Sequence, residues 1–315
     1  MSLISERSQK IVKVMRATAL IASFVLPTQS AQAAGKSAAE SLLTGAGARP
    51  AALAGAYTAI ANDPFAMVYN PAGMARMSRP EMAFMHSQWI ENIQEQFVAM
   101  GLPVNGVVMG LNFYRMDMGR IQGRDSTGKA TQEFTAGDMS MGLAMSGKIN
   151  SRLMMGVKAS YMSQQIAQYK ASTYFGDLGM LYSLSNGLVL GAAAQNLGPG
   201  LKFIEEESPL PKTYAFGASY LLGGFRLAAD YKMRPLDKSN DLVFGMEIFP
   251  FVGAGGSRPL VARFGHSGLV TGGAEAIEGF GTGFGLALGD LGVDYAFKPF
   301  GVLGSAHRIS FNMKF

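Results

Sequence analysis

From Glu81 onward the chain alternates between two kinds of residue. In Phe225–Arg234, Phe225, Leu227, Ala229, Tyr231 and Met233 interleave with Arg226, Asp230, Lys232 and Arg234. The last nine residues put His307, Ile309, Phe311, Met313 and Phe315 on one face, and Arg308, Ser310, Asn312 and Lys314 on the other. Leu291, Val293, Tyr295 and Phe297 oppose Asp294 and Lys298 in the same way, and Tyr214, Phe216, Ala218 and Tyr220 alternate with Thr213, Ala215, Gly217 and Ser219. Successive side chains leave a strand on opposite sides, so a period of two means strands between two unlike environments. An apolar face opposite a charged one fits a transmembrane barrel, with lipid outside and a polar lumen within.

Composition agrees. Gly numbers 40, charged residues make up 16% and hydrophobic ones 48%. Outside the first thirty positions, no run approaches the ~18–20 apolar residues of a spanning helix. There is no Cys, which excludes a disulfide framework, a thiol nucleophile and a zinc–cysteine site. Most of the formal charge of +5 sits in residues 1–33, which carry Arg7, Lys10, Lys13 and Arg16 against Glu6. The nearly neutral remainder gives no basis for nucleic-acid binding.

Residues 1–33 read as a cleaved secretory signal. The basic start is followed by an apolar Ala17–Leu26, by Pro27, and by the small-x-small site Ala31-Gln32-Ala33. Dividing 81–315 at turn residues predicts about fourteen strands, each near the ~10 residues of a tilted spanning strand. They fall near 81–90, 95–103, 106–121, 131–148, 153–168, 172–185, 188–198, 212–222, 225–235, 241–250, 260–267, 279–289, 291–299 and 307–315. Every second connection is short, among them Val104-Asn105, Asn186-Gly187, Gly223-Gly224 and Gly289-Asp290. The intervening ones, such as 123–130, 199–211 and 269–278, are mostly longer and more polar, as between periplasmic turns and outer loops. The segment 251–259 is long for a turn. An even strand number predicts both termini in the periplasm of a Gram-negative cell. Terminal Phe315 resembles the C-terminal signal read by the barrel-assembly machinery.

Residues 34–80 do not alternate. Positions 34–46 are small, polar and read as loose. Residues 49–61 read as a short helix with Pro50 in its first turn, stopped by Asn62-Asp63-Pro64. Asn70 reads as the N-cap of a second turn, Pro71-Ala72-Gly73 onward. Gly55, Asn62, Asp63, Asn70, Pro71, Ala72 and Gly73 are the candidate plug motif. The predicted fold is an all-β outer-membrane barrel of about fourteen antiparallel strands with a short helical plug in its lumen.

No catalytic constellation stands out, and neither a metal site nor a cofactor is expected. His86, His266 and His307 lie in separate strands without a catalytic motif. Gly279, Gly281, Gly283 and Gly285 alternate with Phe280, Thr282 and Phe284, a lumen-facing row and not a phosphate loop. By the alternation Lys158, Asp177, Arg226, Asp230, Lys232, Glu247, Arg263 and Asp294 face the lumen. They either pair to hold barrel and plug together or line a substrate pathway. Outward aromatic residues suit an interfacial girdle against outer-membrane lipid and lipopolysaccharide. Glu205-Glu206-Glu207 reads as a solvated outer loop.

Several motifs together resemble the PorV/PorQ family within the FadL-like group of outer-membrane barrels. They are Gly47-Ala48-Arg49 with Leu53–Asp63 and Tyr69–Gly73, Gly176–Tyr182, Gln195–Pro199 with Pro209-Leu210-Pro211, and Pro299–Gly304 with His307–Ser310. The resemblance implies a fourteen-stranded barrel with an N-terminal segment in the lumen. It implies a non-enzymatic shuttle for exported proteins in type IX-like secretion, with the translocon and cargo as partners. The alternative is a FadL-like transporter of small hydrophobic compounds, which predicts a lateral gap in the wall and an apolar pocket beside the plug.

Overall fold

The computed structural model describes residues 37–89, 93–184, 187–251, 258–268, 279–301 and 304–315. The signal and its cleavage site lie outside these, as do most of the connections expected at 251–259 and 269–278.

Sixteen strands follow one another: β1 Glu81–Gln88, β2 Gln94–Val104, β3 Val107–Arg124, β4 Ala130–Lys148, β5 Leu153–Ile166, β6 Tyr169–Ser183, β7 Leu188–Leu197, β8 Leu201–Phe203, β9 Glu206–Ser208, β10 Thr213–Leu222, β11 Phe225–Arg234, β12 Ser239–Ile248, β13 Leu260–Ser267, β14 Phe280–Leu288, β15 Leu291–Pro299 and β16 Ser305–Lys314. Fourteen of them close into one antiparallel barrel, as expected, with the seam running from Glu81↔Lys314 to Gln88↔His307. The remaining two, β8 and β9, form a separate hairpin inside the 199–211 connection. Glu205, Glu206 and Glu207 are exposed there, a solvated run at the tip and along the second strand of the hairpin. β7 consequently pairs with β10.

Closure satisfies the backbone groups that lipid cannot. Among the described residues no helix is long and apolar enough to cross a membrane. The apolar sets face outward: Met109, Leu111, Leu143, Phe216, Leu227, Phe284, Ile309 and Phe311 are all exposed. Their partners in the alternation, such as Asp230, Glu247, Asp294, Arg308 and Ser310, are buried inside.

The N-terminal segment fills the lumen. A 3₁₀ turn at Glu40–Leu43 precedes α1 (Ala48–Ala52); α2 (Ala66–Tyr69) and a 3₁₀ turn at Pro71–Arg76 follow. The helix expected over 49–61 is therefore only five residues long. Gly55 N turns back to Pro50 O at 2.9 Å, and both Ala54 (φ 51°) and Gly55 (φ 89°) are left-handed, which ends it. Residues 37–46 are not loose: Ala39, Ser41 and Ala46 are buried.

The ends of this segment lie at opposite ends of the barrel. Ala38 N donates to Pro209 O at 2.8 Å, and Ser37 Oγ donates to Asp237, both in long-loop connections. At the other end Phe315 N donates to Pro80 O at 2.9 Å, beside the short turns. Residues 1–36, and with them the N-terminus expected in the periplasm, lie outside the described residues. β1 and β16 do meet at the short-turn end, but the segment leading to β1 has first run the whole lumen.

Candidate functional site: the plugged lumen

Small residues on both partners bring the plug against the wall. A Cβ built on Gly156 would lie 2.5 Å from Ala72 N, one on Gly191 2.6 Å from Thr58 O, and one on Gly281 2.5 Å from Ala51 O. These glycines face inward on β5, β7 and β14, so plug backbone meets wall backbone with no side chain between. Gly283 continues the row read from the sequence, where a Cβ would come within 2.8 Å of Ala52 Cβ. At this level the lumen is sealed by packing, and any added side chain forces a shift.

Asn70 fixes one end of the contact. Its Oδ1 accepts from Ala72 N at 3.2 Å, the geometry of an N-cap. Its Nδ2 donates to Thr58 O at 2.8 Å and to Met180 O of β6 at 3.1 Å. Pro71 and Ala72 are buried with it, and Gly73 packs where a Cβ would meet Ala61 Cβ at 2.7 Å. Asp63 is buried and accepts from Tyr57 OH at 2.5 Å, with Arg49 Nη1 at 3.5 Å. Exposed Asn62 accepts from Arg49 Nη1 at 2.6 Å. Gly55 offers its carbonyl to Lys232 Nζ at 2.7 Å.

All eight sequence-derived lumen charges point inward, and the structure divides them into groups. Glu247 is the hub of the largest group. It receives Arg49 from the plug (Nε–Oε1 2.8 Å, Nη2–Oε2 3.2 Å), Arg226 from β11 (2.7 Å) and Arg263 from β13 (3.0 Å). Arg263 also reaches Asp294 of β15 at 2.5 Å. A second anchor is Asp230, whose Oδ2 takes Tyr57 N, Thr58 N and Thr58 Oγ1 at 2.9, 2.9 and 2.7 Å. Lys158 and Asp177 pair at 2.8 Å across β5 and β6, apart from the hub. Buried charges persist only where paired and hydrogen-bonded, and here plug and wall complete each other's shells.

Three members of this set had not been assigned from the sequence. Arg49 lies in the first plug helix, outside the candidate motif residues, and no periodicity marks it. Glu95 and Arg308 pair at 2.6 Å across 213 residues of chain, and Tyr114 OH donates to Glu95 at 2.8 Å. The inward position of Arg308 was readable from the alternation in β16, whereas its partner was not. The three histidines lie on the outer face, where His307 Nδ1 contacts Tyr295 OH at 2.8 Å. Among the described residues no group of three or more His, Asp or Glu side chains could hold a metal.

Beside the plug is a cavity of about 40 Å³ of mixed lining: Leu42, Ala46, Val68, Phe97 and Phe175 on the apolar side, Asn112, Tyr114, Ser140 and Lys158 on the polar side. Asp177, Gln195 and Asn196 also line it. There the β6–β7 register jumps from Gly176↔Leu197 to Leu178↔Ala194, so Gln195 and Asn196 face Asp177 alone. Asn196 is left-handed (φ 59°), and its N–H donates to Asp177 Oδ1 at 2.7 Å instead of to a strand. This is a bulge in the wall. Gln195 Nε2 turns inward to Val68 O and Tyr69 O of the plug, at 2.7 and 2.8 Å.

Solved structures share this architecture. The toluene transporter TbuX of Ralstonia pickettii aligns with a TM-score of 0.61 at 15% identity, over 86% of this chain and 98% of that one. The monoaromatic hydrocarbon channel CymD aligns at 0.61 and 13%, over 87% and 98%. A Pseudomonas aeruginosa FadL homologue aligns at 0.57 and 11%, over 90% and 100%. The fold is thus that of the FadL-like outer-membrane barrels. No curated protein matches the chain. A family model described as an uncharacterised protein family, UPF0164, matches residues 13–203, more than half the chain, and the chain belongs to that family.

Proposed function

We propose that the protein is a non-enzymatic outer-membrane transporter of small hydrophobic compounds, with residues 34–80 as its plug. The observation that carries the reading is the cavity beside the plug, where Leu42, Val68, Phe97 and Phe175 offer an apolar wall, set directly behind the β6–β7 bulge. Structural neighbours of the same fold are hydrocarbon transporters and channels. At about 40 Å³ the cavity is smaller than the ~150 Å³ void that accepts benzene in another protein. Passage therefore requires the plug to shift. The plug's ties to Gln195, Asp230 and Glu247 are the contacts that hold it closed.

In this setting the outer apolar band meets outer-membrane lipid and lipopolysaccharide, and Phe315 serves the barrel-assembly machinery. The secretion shuttle implied by the PorV/PorQ motifs gains nothing from the neighbours named above, and transport is preferred. The test is uptake of labelled toluene into proteoliposomes. Asn112→Trp, which fills the cavity from β3, is expected to lower uptake at least fivefold. No uptake above protein-free vesicles, or full uptake by this variant, would sink the reading.

A further inference from the structure

A second chamber, of about 180 Å³, opens above the plug toward the long-loop end. Its lining is more strongly cationic than that of the first cavity. Lys232 and Arg234 of β11, Lys298 of β15 and Arg308 of β16 line it, against one carboxylate, Asp241. The register explains the convergence. Arg308 pairs with Ala296, and Lys298 with Ala306 two positions along, so these cations are diagonal inward neighbours. Lys232 faces Asp241 across β11 and β12.

The carboxylates present are already engaged. Asp241 takes Arg234, and Glu95 takes Arg308. Asp230, beside Lys232, holds the plug's Tyr57 and Thr58 through Oδ2, while its Oδ1 is buried without a hydrogen-bond partner. Lys232 donates instead to the carbonyl of Gly55 at 2.7 Å. Lys298 lies over the Phe300 ring at 5.2 Å. Among the described residues no carboxylate comes within ion-pair distance of either lysine. Two ammonium groups thus share a confined chamber with carboxylates nearby but none in direct contact, an arrangement that leaves room for an incoming anion.

We infer that this chamber is a binding site for a compact oxyanion, a phosphate or a small carboxylate, held between Lys232 and Lys298. The site is separate from the first cavity and stands whether or not hydrocarbons pass. Two of its cations also hold plug carbonyls: Lys232 that of Gly55, and Arg308 those of Thr44 and Gly45 at 3.4 and 3.3 Å. A bound anion therefore competes directly with the plug for its fastenings.

The protein carries its own reporter. Its single Trp, Trp89, lines this chamber and packs on Phe300 with ring centroids 5.3 Å apart. The experiment titrates the full, folded barrel in zwitterionic detergent with inorganic phosphate, acetate, chloride or toluene at constant ionic strength, following Trp89 emission. Phosphate or acetate is expected to give a saturable change, and whichever does so at lower concentration identifies the preferred oxyanion. Lys298→Met should weaken it at least tenfold, and Lys298→Arg should restore it to within about threefold. Heat-modified gel mobility verifies that each variant is folded. The inference is overturned if chloride matches both oxyanions, if only toluene saturates, or if folded Lys298→Met binds like the parent.

Discussion

The tie between Arg49 and Glu247 offers the sharpest test of whether charge pairs hold the plug. Glu247 is 1% exposed and accepts from three arginines. Replacing it by Gln keeps the shape and removes the charge, leaving three guanidinium groups with only Asp63 and Asp294 near them. Removing one partner of a buried ion pair costs ~3–5 kcal/mol, and Glu247→Gln should fall in that range. Arg49→Met removes only the plug's share. Glu247 keeps Arg226 and Arg263, so the loss should be ~2 kcal/mol, that of a charged hydrogen-bonded pair. In the double variant Arg49 no longer presses a stranded charge onto the site. The combined loss should then fall short of the sum by ~1.5–3 kcal/mol. Guanidinium unfolding in detergent micelles, followed by near-UV circular dichroism, measures all four corners of the cycle. Planar-bilayer conductance of the same proteins reads the plug itself, with leak expected to rise in Arg49→Met. A coupling energy below about 0.5 kcal/mol, with unchanged leak, would refute the claim that this pair fastens plug to wall.

Asn70→Ala removes the cap on Ala72 and two carbonyl contacts, and should cost ~2–3 kcal/mol by the same unfolding assay. Gly281→Leu, whose side chain would collide with the Ala51 carbonyl, should leave barrel heat-modifiability intact while raising bilayer leak, because the plug can no longer seat. Gly55→Leu is strained by its left-handed backbone (φ 89°) and should lower the unfolding midpoint measurably. In the exposed 125–129 turn, Asp125 accepts from Thr127 Oγ1 at 2.6 Å and from Lys129 N at 3.0 Å. The Thr127 hydroxyl, with the backbone amides of Lys129 and Thr127, holds the Asp125 carboxyl below its ordinary range. A depressed carboxylate favours the ordered turn above that range and stops doing so as pH falls through it. Amide exchange at Lys129 should therefore show extra protection at pH 6 that is lost well below pH 4, and that is absent at both in Asp125→Ala.

The barrel was legible because its two faces meet different solvents. Leu227 and Asp230 have opposite tasks, and alternation records them directly. The inward direction of Arg226, Glu247 and Arg263 followed from the same rule. Their partners did not, since pairing across an interior depends on register between strands, which no single strand encodes. Glu95 and Arg308 are neighbours only because β1 closes onto β16. The plug was least legible. Its contacts run backbone to backbone against inward glycines and impose no periodicity. The Ala-rich stretch 51–61 has the composition of a helix, and the left-handed pair Ala54–Gly55 overrides it. The β8–β9 hairpin was hidden because strands of three residues carry too little alternation to detect.

The path of the plug also constrains how the molecule is made. Residues near 37 sit at the long-loop end and Pro80 at the short-turn end, so the closed barrel is a ring around its own threaded chain. Once the β1–β16 seam has formed, the inward glycine belt leaves no clearance for the segment to be drawn through afterwards. On this geometry, docking the plug before the seam closes is the simpler order. The seam is then the natural final step of assembly, and the plug acts as the mandrel on which the wall is wound.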